Sequence, residues 1–220
     1  MSVWALVAAA GSGERLGGDR PKAFARLGEL PLLAESLERL DASDWVDAIV
    51  VAAPPEWVEP AVLLAEELGA GKVTACVPGG ATRTDSVRAA LTEVASDAVA
   101  VLVHDAARPL VSDDVLERVL APLAEGWDGV VPALPIADTV KRVRGDAVVG
   151  TVPRDELVAA QTPQAFLPDA LRRALGRGEE ASDCAALVEA AGGRVRTVPG
   201  DRRLLKITTP EDLDLVERLR

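Results

Sequence analysis

The stretch A-A-A-G-S-G-E-R-L-G-G-D-R-P-K, residues 8–22, places glycines and three fixed cations, Arg15, Arg20 and Lys22, directly after an apolar run. Glycines there let backbone N–H groups approach phosphate oxygens, whose charge the cations offset. Neither common phosphate loop fits. Leu16 stands where the dinucleotide fingerprint G-x-G-x-x-G needs its last glycine. Gly18 is followed by Asp19-Arg20, not by the Lys-Ser/Thr of a Walker A loop. Several cations over one loop, stiffened by Pro21, suit a triphosphate better than a dinucleotide.

A second glycine pair opens P-G-G-A-T-R-T-D-S-V, residues 78–87. Gly79 and Gly80 permit close backbone approach, and Arg83 and Ser86 offer donors to a base, sugar or phosphate. Thr84 or Asp85 is expected to cap the helix that follows. In V-L-V-H-D-A-A-R-P, residues 101–109, Asp105 at a strand end suits a substrate hydroxyl or a hydrated Mg²⁺. Arg108 suits a phosphate or Asp105 itself, and His104 reads as a structural group packed at the strand end. Further along lie Asp138, Thr139, Lys141 and Arg142, then Arg154, the polar break Ala160-Gln161-Thr162-Pro163-Gln164, and Lys206 within an apolar run. Arg142 and Arg144 read as edge protection, whereas Thr139 and Arg154 are better placed for a substrate. A buried Lys206 needs a partner, either a bound phosphate or a carboxylate. One His and two distant Cys exclude a zinc site, and no G-x-S-x-G nucleophile turn occurs. Trp4, Trp45, Trp57 and Trp127 are scattered singly, as packing residues are.

These groups have to be held by an alternating framework. Apolar runs at 3–9, 48–53, 72–77, 99–103 and 129–131 read as strands. Helical periods cover 31–40, 56–68 (closed by Gly69), 84–94 and 112–120. This alternation predicts an α/β fold: an open, mostly parallel twisted sheet with helices on both faces. The two glycine loops and Asp105 then fall at the carboxyl edge of the sheet, where such folds collect ligands. From Leu134 the alternation breaks. Residues 134–153 read as a β-hairpin turning at Arg144-Gly145-Asp146, a protruding β-arm too small to bury a core alone. It packs either on a second subunit or on its own chain. Helices at 167–175 and 182–191, a strand at 194–198 and a helix capped by Thr209 with Pro210 at its first position complete the chain. With no linker, residues 1–220 are expected to form a single domain.

Composition narrows the class. Of 220 residues, 35 are Asp or Glu and 24 are Lys or Arg, a formal net charge of -11. That excludes bulk electrostatic gripping of nucleic acid or anionic lipid. A hydrophobic fraction of 49% excludes global disorder. Cys76 and Cys184 fit no disulfide framework, and residues 2–13 are too short and lack the basic flank of an export signal. A cytoplasmic protein is expected, with no nucleic-acid or membrane partner.

Taken in order, A-A-A-G-S-G-E-R-L…R-P-K, V-H-D-A-A-R-P, A-D-T-V-K-R-V, A-A-Q-T-P-Q-A-F and L-K-I-T-T-P-E-D-L closely resemble the 2-C-methyl-D-erythritol 4-phosphate cytidylyltransferases, over nearly the whole chain. Ribitol-5-phosphate cytidylyltransferases share much of the pattern. The resemblance implies a Rossmann-like nucleotidyltransferase that joins CTP to 2-C-methyl-D-erythritol 4-phosphate and releases pyrophosphate, with Mg²⁺. It also implies a homodimer whose β-arms interlock. Carried over by motif, Arg15 and Lys22 are the catalytic cations on the triphosphate. Ala8, Ala9, Ala10, Gly11, Gly13, Gly79, Gly80 and Ser86 hold the nucleotide. Asp105, Arg108, Thr162 and Lys206 belong to the polyol phosphate and metal region, with Asp105 as the metal candidate, and Thr139 and Arg154 reach it from the partner subunit. One departure is Gly80-Ala81-Thr82, where many relatives carry an acidic residue after the glycines. A cytidylyltransferase for ribitol 5-phosphate and a non-catalytic nucleotide-binding regulator are the alternative readings.

Overall fold

A computed structural model describes residues 2–11, 13, 16 and 20–220. The expected catalytic cation Arg15 lies outside the described residues. The first strand, β1 (Ser2–Ala8), is the hub of the sheet. A two-residue hairpin, β2 (Arg26–Leu27) with β3 (Leu30–Pro31), leads into α1 (Leu32–Ala42). Then come β4 (Ala48–Ala53), α2 (Val58–Leu68), β5 (Val73–Pro78), α3 (Arg83–Leu91), β6 (Ala98–Asp105), α4 (Asp113–Leu120) and β7 (Gly129–Pro135). The hairpin β8 (Val140–Arg144) and β9 (Ala147–Val152) follows. Short strands β10 (Val158–Ala160) and β11 (Gln164–Phe166), helices α5 (Pro168–Gly176) and α6 (Cys184–Ala190), strand β12 (Val195–Pro199) and helix α7 (Pro210–Leu219) complete the order.

Among the described residues the main sheet runs β10-β7-β11-β6-β1-β4-β5, with β12 also on β7. Pairings β6–β1, β1–β4, β4–β5 and β7–β12 are parallel. The expected mostly parallel sheet is present, with two antiparallel strands, β10 at the edge on β7 and β11 within the sheet. Strand β11 enters antiparallel between β6 and β7, where the sequence reads only a polar break. Three residues are too few to show a period, so this strand has no pattern signal.

Alternation along each strand divides the core. Ala5, Val7, Ile49, Val51 and Leu102 point to the face covered by α1, α2 and α4. Leu6, Val50, Ala52, Val101 and Val103 point to the face covered by α3, α5 and α6. Strands covered on both faces need no polar positions, which is why β4 is apolar throughout. A satellite cluster of Leu27, Leu32, Leu110, Ile207 and Val216 joins α7 to β2 and α1, with Leu16 packed against it.

The ends follow local chemistry. Gly69 closes α2 in the left-handed region at φ 65°. Thr209 caps α7 in a reciprocal box with Asp212. At α3 the expectation of Thr84 or Asp85 needs correction. Thr82 is the cap, its side chain accepting from the Asp85 N–H, because the helix starts one residue earlier than its apolar period. The hairpin β8–β9 turns at Gly145 (φ 62°) as expected. It pairs with no other described strand and leaves Val143, Val148 and Val149 more than half exposed. Among the described residues no helix is long and apolar enough to cross a membrane.

Candidate active site

The chain leaves β1 for β4 and β5 on one side and returns through β6 on the other. Strand order therefore reverses between β1 and β6, and a crevice opens at their carboxyl ends. A cavity of about 630 Å³ sits there, with Ala8, Ala9, Ala10, Gly11, Gly13 and Lys22 on one wall. Gly80, Thr82, Arg83 and Ser86 form another wall, and Asp105, Lys206 and Thr208 its floor. Of the expected nucleotide-binding residues, Ala8, Ala9, Ala10, Gly11, Gly13, Gly80 and Ser86 all reach this cavity.

Gly13 adopts φ +72°, and a Cβ there would lie 2.7 Å from Lys22 Cβ. Gly13 thus lies against Lys22, whose N–H donates to Gly11 O at 3.2 Å. Gly79 stands behind the wall. A Cβ on it would meet Ala10 Cβ at 2.5 Å and Ser86 Oγ at 2.8 Å, so only glycine lets the two loops touch. Ser86 shapes its own loop, accepting from Gly80 N–H at 3.2 Å and donating to Thr82 O at 2.9 Å.

Asp105 is 7% exposed and holds two cations. Arg83 Nε donates to Oδ1 at 2.9 Å and Lys206 Nζ to Oδ2 at 2.7 Å. Burial alone would raise the Asp105 pKa, but Arg83 and Lys206 outweigh it and hold the carboxyl well below the usual range. Burial works against the Arg83 charge as well, and Asp105 with Cys184 reverses that effect and raises its pKa. The Asp105 N–H donates to Thr162 Oγ1 at 3.0 Å, so Thr162 orients the strand end from behind rather than lining the cavity. The partner of Lys206 is thus a carboxylate, while Lys206 still faces the cavity.

His104 is fully buried, with Nε2 3.1 Å from Arg108 O and Nδ1 3.4 Å from Thr162 Oγ1. Burial lowers its pKa to about 4, which keeps it neutral and agrees with the structural role. The Arg108 guanidinium donates to backbone carbonyls, Nη1 to Leu204 O at 2.6 Å and Nη2 to Ala160 O at 3.5 Å. Its Nε is buried without a partner. Thr139 and Arg154 are exposed and line no part of this cavity, and Arg154 Nη1 donates to Ala137 O. Arg83 is the residue whose role the sequence understated. Its position in a polar loop suggested direct ligand contact, and only the tertiary pairing across 22 positions reveals its hold on Asp105.

A metal would find little prebuilt. No group of three or more His, Cys, Asp or Glu side chains among the described residues could hold one. Asp105 is the single carboxylate on the described cavity wall. Each of its oxygens takes one cation, which leaves acceptor capacity on both. That donor set fits a Mg²⁺ arriving on phosphates, which asks the protein for one or two oxygens.

Comparison with known proteins follows the same outline. The family model described as IspD: 2-C-methyl-D-erythritol 4-phosphate cytidylyltransferase matches residues 3–219. A protein of Nocardia farcinica bearing that enzyme name is 50% identical over 219 residues, covering 99% of this chain and 94% of the relative. A namesake from Frankia casuarinae is 49% identical, covering 99% of this chain and 80% of the relative. The crystal structure of the Thermus thermophilus enzyme of this name superposes with a TM-score of 0.82 at 37% identity, covering 100% of this chain and 98% of that one.

Proposed function

Because the chain belongs to the 2-C-methyl-D-erythritol 4-phosphate cytidylyltransferase family, we propose that its cavity joins CTP and 2-C-methyl-D-erythritol 4-phosphate. The products are 4-diphosphocytidyl-2-C-methyl-D-erythritol and pyrophosphate, a step in non-mevalonate isoprenoid precursor synthesis. The observation that carries this reading is the meeting of both glycine loops with Lys22 and Lys206 in one crevice.

A phosphate monoester oxygen of the acceptor attacks the α-phosphorus of CTP. A new P–O bond forms, the bond to the β-phosphate bridge breaks, and its electrons leave with pyrophosphate. The nucleophile is already ionised near neutrality, so the step needs no strong base, and neutral, buried His104 is not asked to be one. The obstacle is the approach of two anions. Cations held in place offset that repulsion and the charge that builds on the five-coordinate phosphorus. Lys22, held against Gly11 and Gly13, serves the triphosphate with Arg15. Lys206, held by Asp105, serves the incoming phosphate. Mg²⁺ carried on the triphosphate, with Asp105 as its protein oxygen, would supply further charge neutralisation.

The reading extends to a homodimer in which β8–β9 packs on a second copy. The exposed valines of a hairpin that pairs with no other described strand support this. Thr139 and Arg154 would then reach the partner's acceptor site. We place the enzyme in the cytoplasm; free Cys76 and Cys184 suit a reducing compartment. The deciding experiment measures pyrophosphate release with CTP, Mg²⁺ and either 2-C-methyl-D-erythritol 4-phosphate or ribitol 5-phosphate. Release with the first acceptor and not the second is expected. The reverse preference, or no release with either, would overturn the reading.

A further inference from the structure

Residues 177–183, between α5 and α6, and Cys184 at the start of α6 contributed no candidate to the site, yet they touch the start of α3 where it lines the cavity. Thr82 Oγ1 lies 2.9 Å from Glu180 Oε1 across 98 positions of sequence. Two residues from the loop's other end, Arg83 Nη1 donates to Cys184 Sγ at 3.6 Å. The remaining side-chain bonds of the 79–82 loop are local, to Asp85 and Ser86. Glu180 is therefore its side-chain link to a distant segment among the described residues, beside the backbone bond from Gly79 N–H to Ala53 O at 2.7 Å.

That link has a geometric consequence. Thr82 Oγ1 must accept from the Asp85 N–H, at 3.1 Å, to cap α3. It has one proton to donate, and both Asp85 Oδ2, at 3.0 Å, and Glu180 Oε1 are in reach. Arg88 engages Asp85 at Oδ1, so Asp85 Oδ2 and Glu180 Oε1 share the Thr82 proton. A proton given to Glu180 points outward, holds the rotamer that keeps the cap, and ties the cavity wall to the α5–α6 connection. We propose that Glu180 is a positioning residue for nucleotide binding, bracing Thr82 and with it the Gly80–Ser86 wall. The inference rests on the reading of this cavity as the CTP site.

The sign of the effect separates this role from plain electrostatics. Glu180 is an exposed negative charge near a cavity for a polyanion. If it acted by charge alone, its removal would tighten CTP binding. As a brace, its removal loosens the wall and weakens CTP. The test uses the full chain with steady-state kinetics for both substrates and calorimetric titration of CTP with Mg²⁺. In Glu180→Ala the KM and Kd for CTP rise about three- to tenfold, as loss of one such hydrogen bond implies. The turnover number, the acceptor KM and the melting temperature stay near wild type. Glu180→Gln, which keeps an acceptor oxygen without the charge, restores CTP affinity. An unchanged or lower CTP KM in Glu180→Ala, parallel losses in both substrates, or a Gln variant as weak as the Ala variant would overturn the brace. Wild-type chain that fails to bind CTP would instead overturn the site assignment itself.

Discussion

Lys206 Nζ rests 2.7 Å from Asp105 Oδ2, although 101 positions separate the two residues. Asp105 thereby converts two cations from distant elements, Arg83 on α3 and Lys206 before α7, into one fixed arrangement. Asp105→Asn would leave the largely buried Arg83 guanidinium without its counter-charge. Removing one partner of a buried pair costs about 3 kcal/mol or more. Urea unfolding should show a loss of this order, and turnover should fall roughly a hundredfold or more as Lys206 loses its anchor. A variant with wild-type stability and turnover would contradict the anchoring role.

The neutral state of His104 carries a pH signature. Its folded pKa, about 4, lies below the unfolded value of about 6.5. The unfolded chain therefore binds the proton first as pH falls. Stability from this group is complete above about pH 6.5 and declines between there and pH 4 by up to roughly 1.4 kcal/mol per unit. Asp105, also depressed in the folded state, erodes stability only at lower pH, through and below the usual carboxylate range. Chemical denaturation at a series of pH values should reveal the upper slope in wild type and a flatter one in His104→Gln. Equal slopes would remove His104 from this account.

Gly79→Ala tests the contact between the two loops. The new methyl would press on Ala10 and Ser86. Overpacking of this kind costs about 1–3 kcal/mol, relieved by spreading the cavity walls. A higher CTP KM with a modest drop in melting temperature is expected. Unaltered CTP affinity would show that the walls need not touch.

Subunit mixing addresses Arg154 and the hairpin together. If the proposed homodimer forms, Lys22→Ala and Arg154→Ala chains should each be nearly inactive alone with 2-C-methyl-D-erythritol 4-phosphate. If Arg154 serves the partner's site, a mixed dimer keeps one intact site, so equal mixing should recover roughly a quarter of wild-type activity. Absence of recovery after subunit exchange, verified by mass, would place Arg154 in its own chain's site or outside both.

Much of this architecture is legible in local sequence because local physics sets it. Gly69 ends α2, Thr209-Pro210 starts α7, and the apolar run of β4 needs two covered faces. The glycine loops read as candidate phosphate contacts from sequence alone, since glycines let backbone N–H groups approach an anion, and the structure brings both loops and Lys22 to one cavity. What stayed hidden depends on partners remote in the chain. Strand β11 is recognisable only from its neighbours β6 and β7, for three residues carry no period of their own. Arg83 and Lys206 could each have met a phosphate or a carboxylate, and only closure of the fold brought Asp105 between them. Residue types and spacing thus determined the sheet, its loops and the anionic character of the ligand. Tertiary structure decided that two of the cavity's cations, Arg83 and Lys206, are held by Asp105, because that pairing turns on distances that no local pattern encodes.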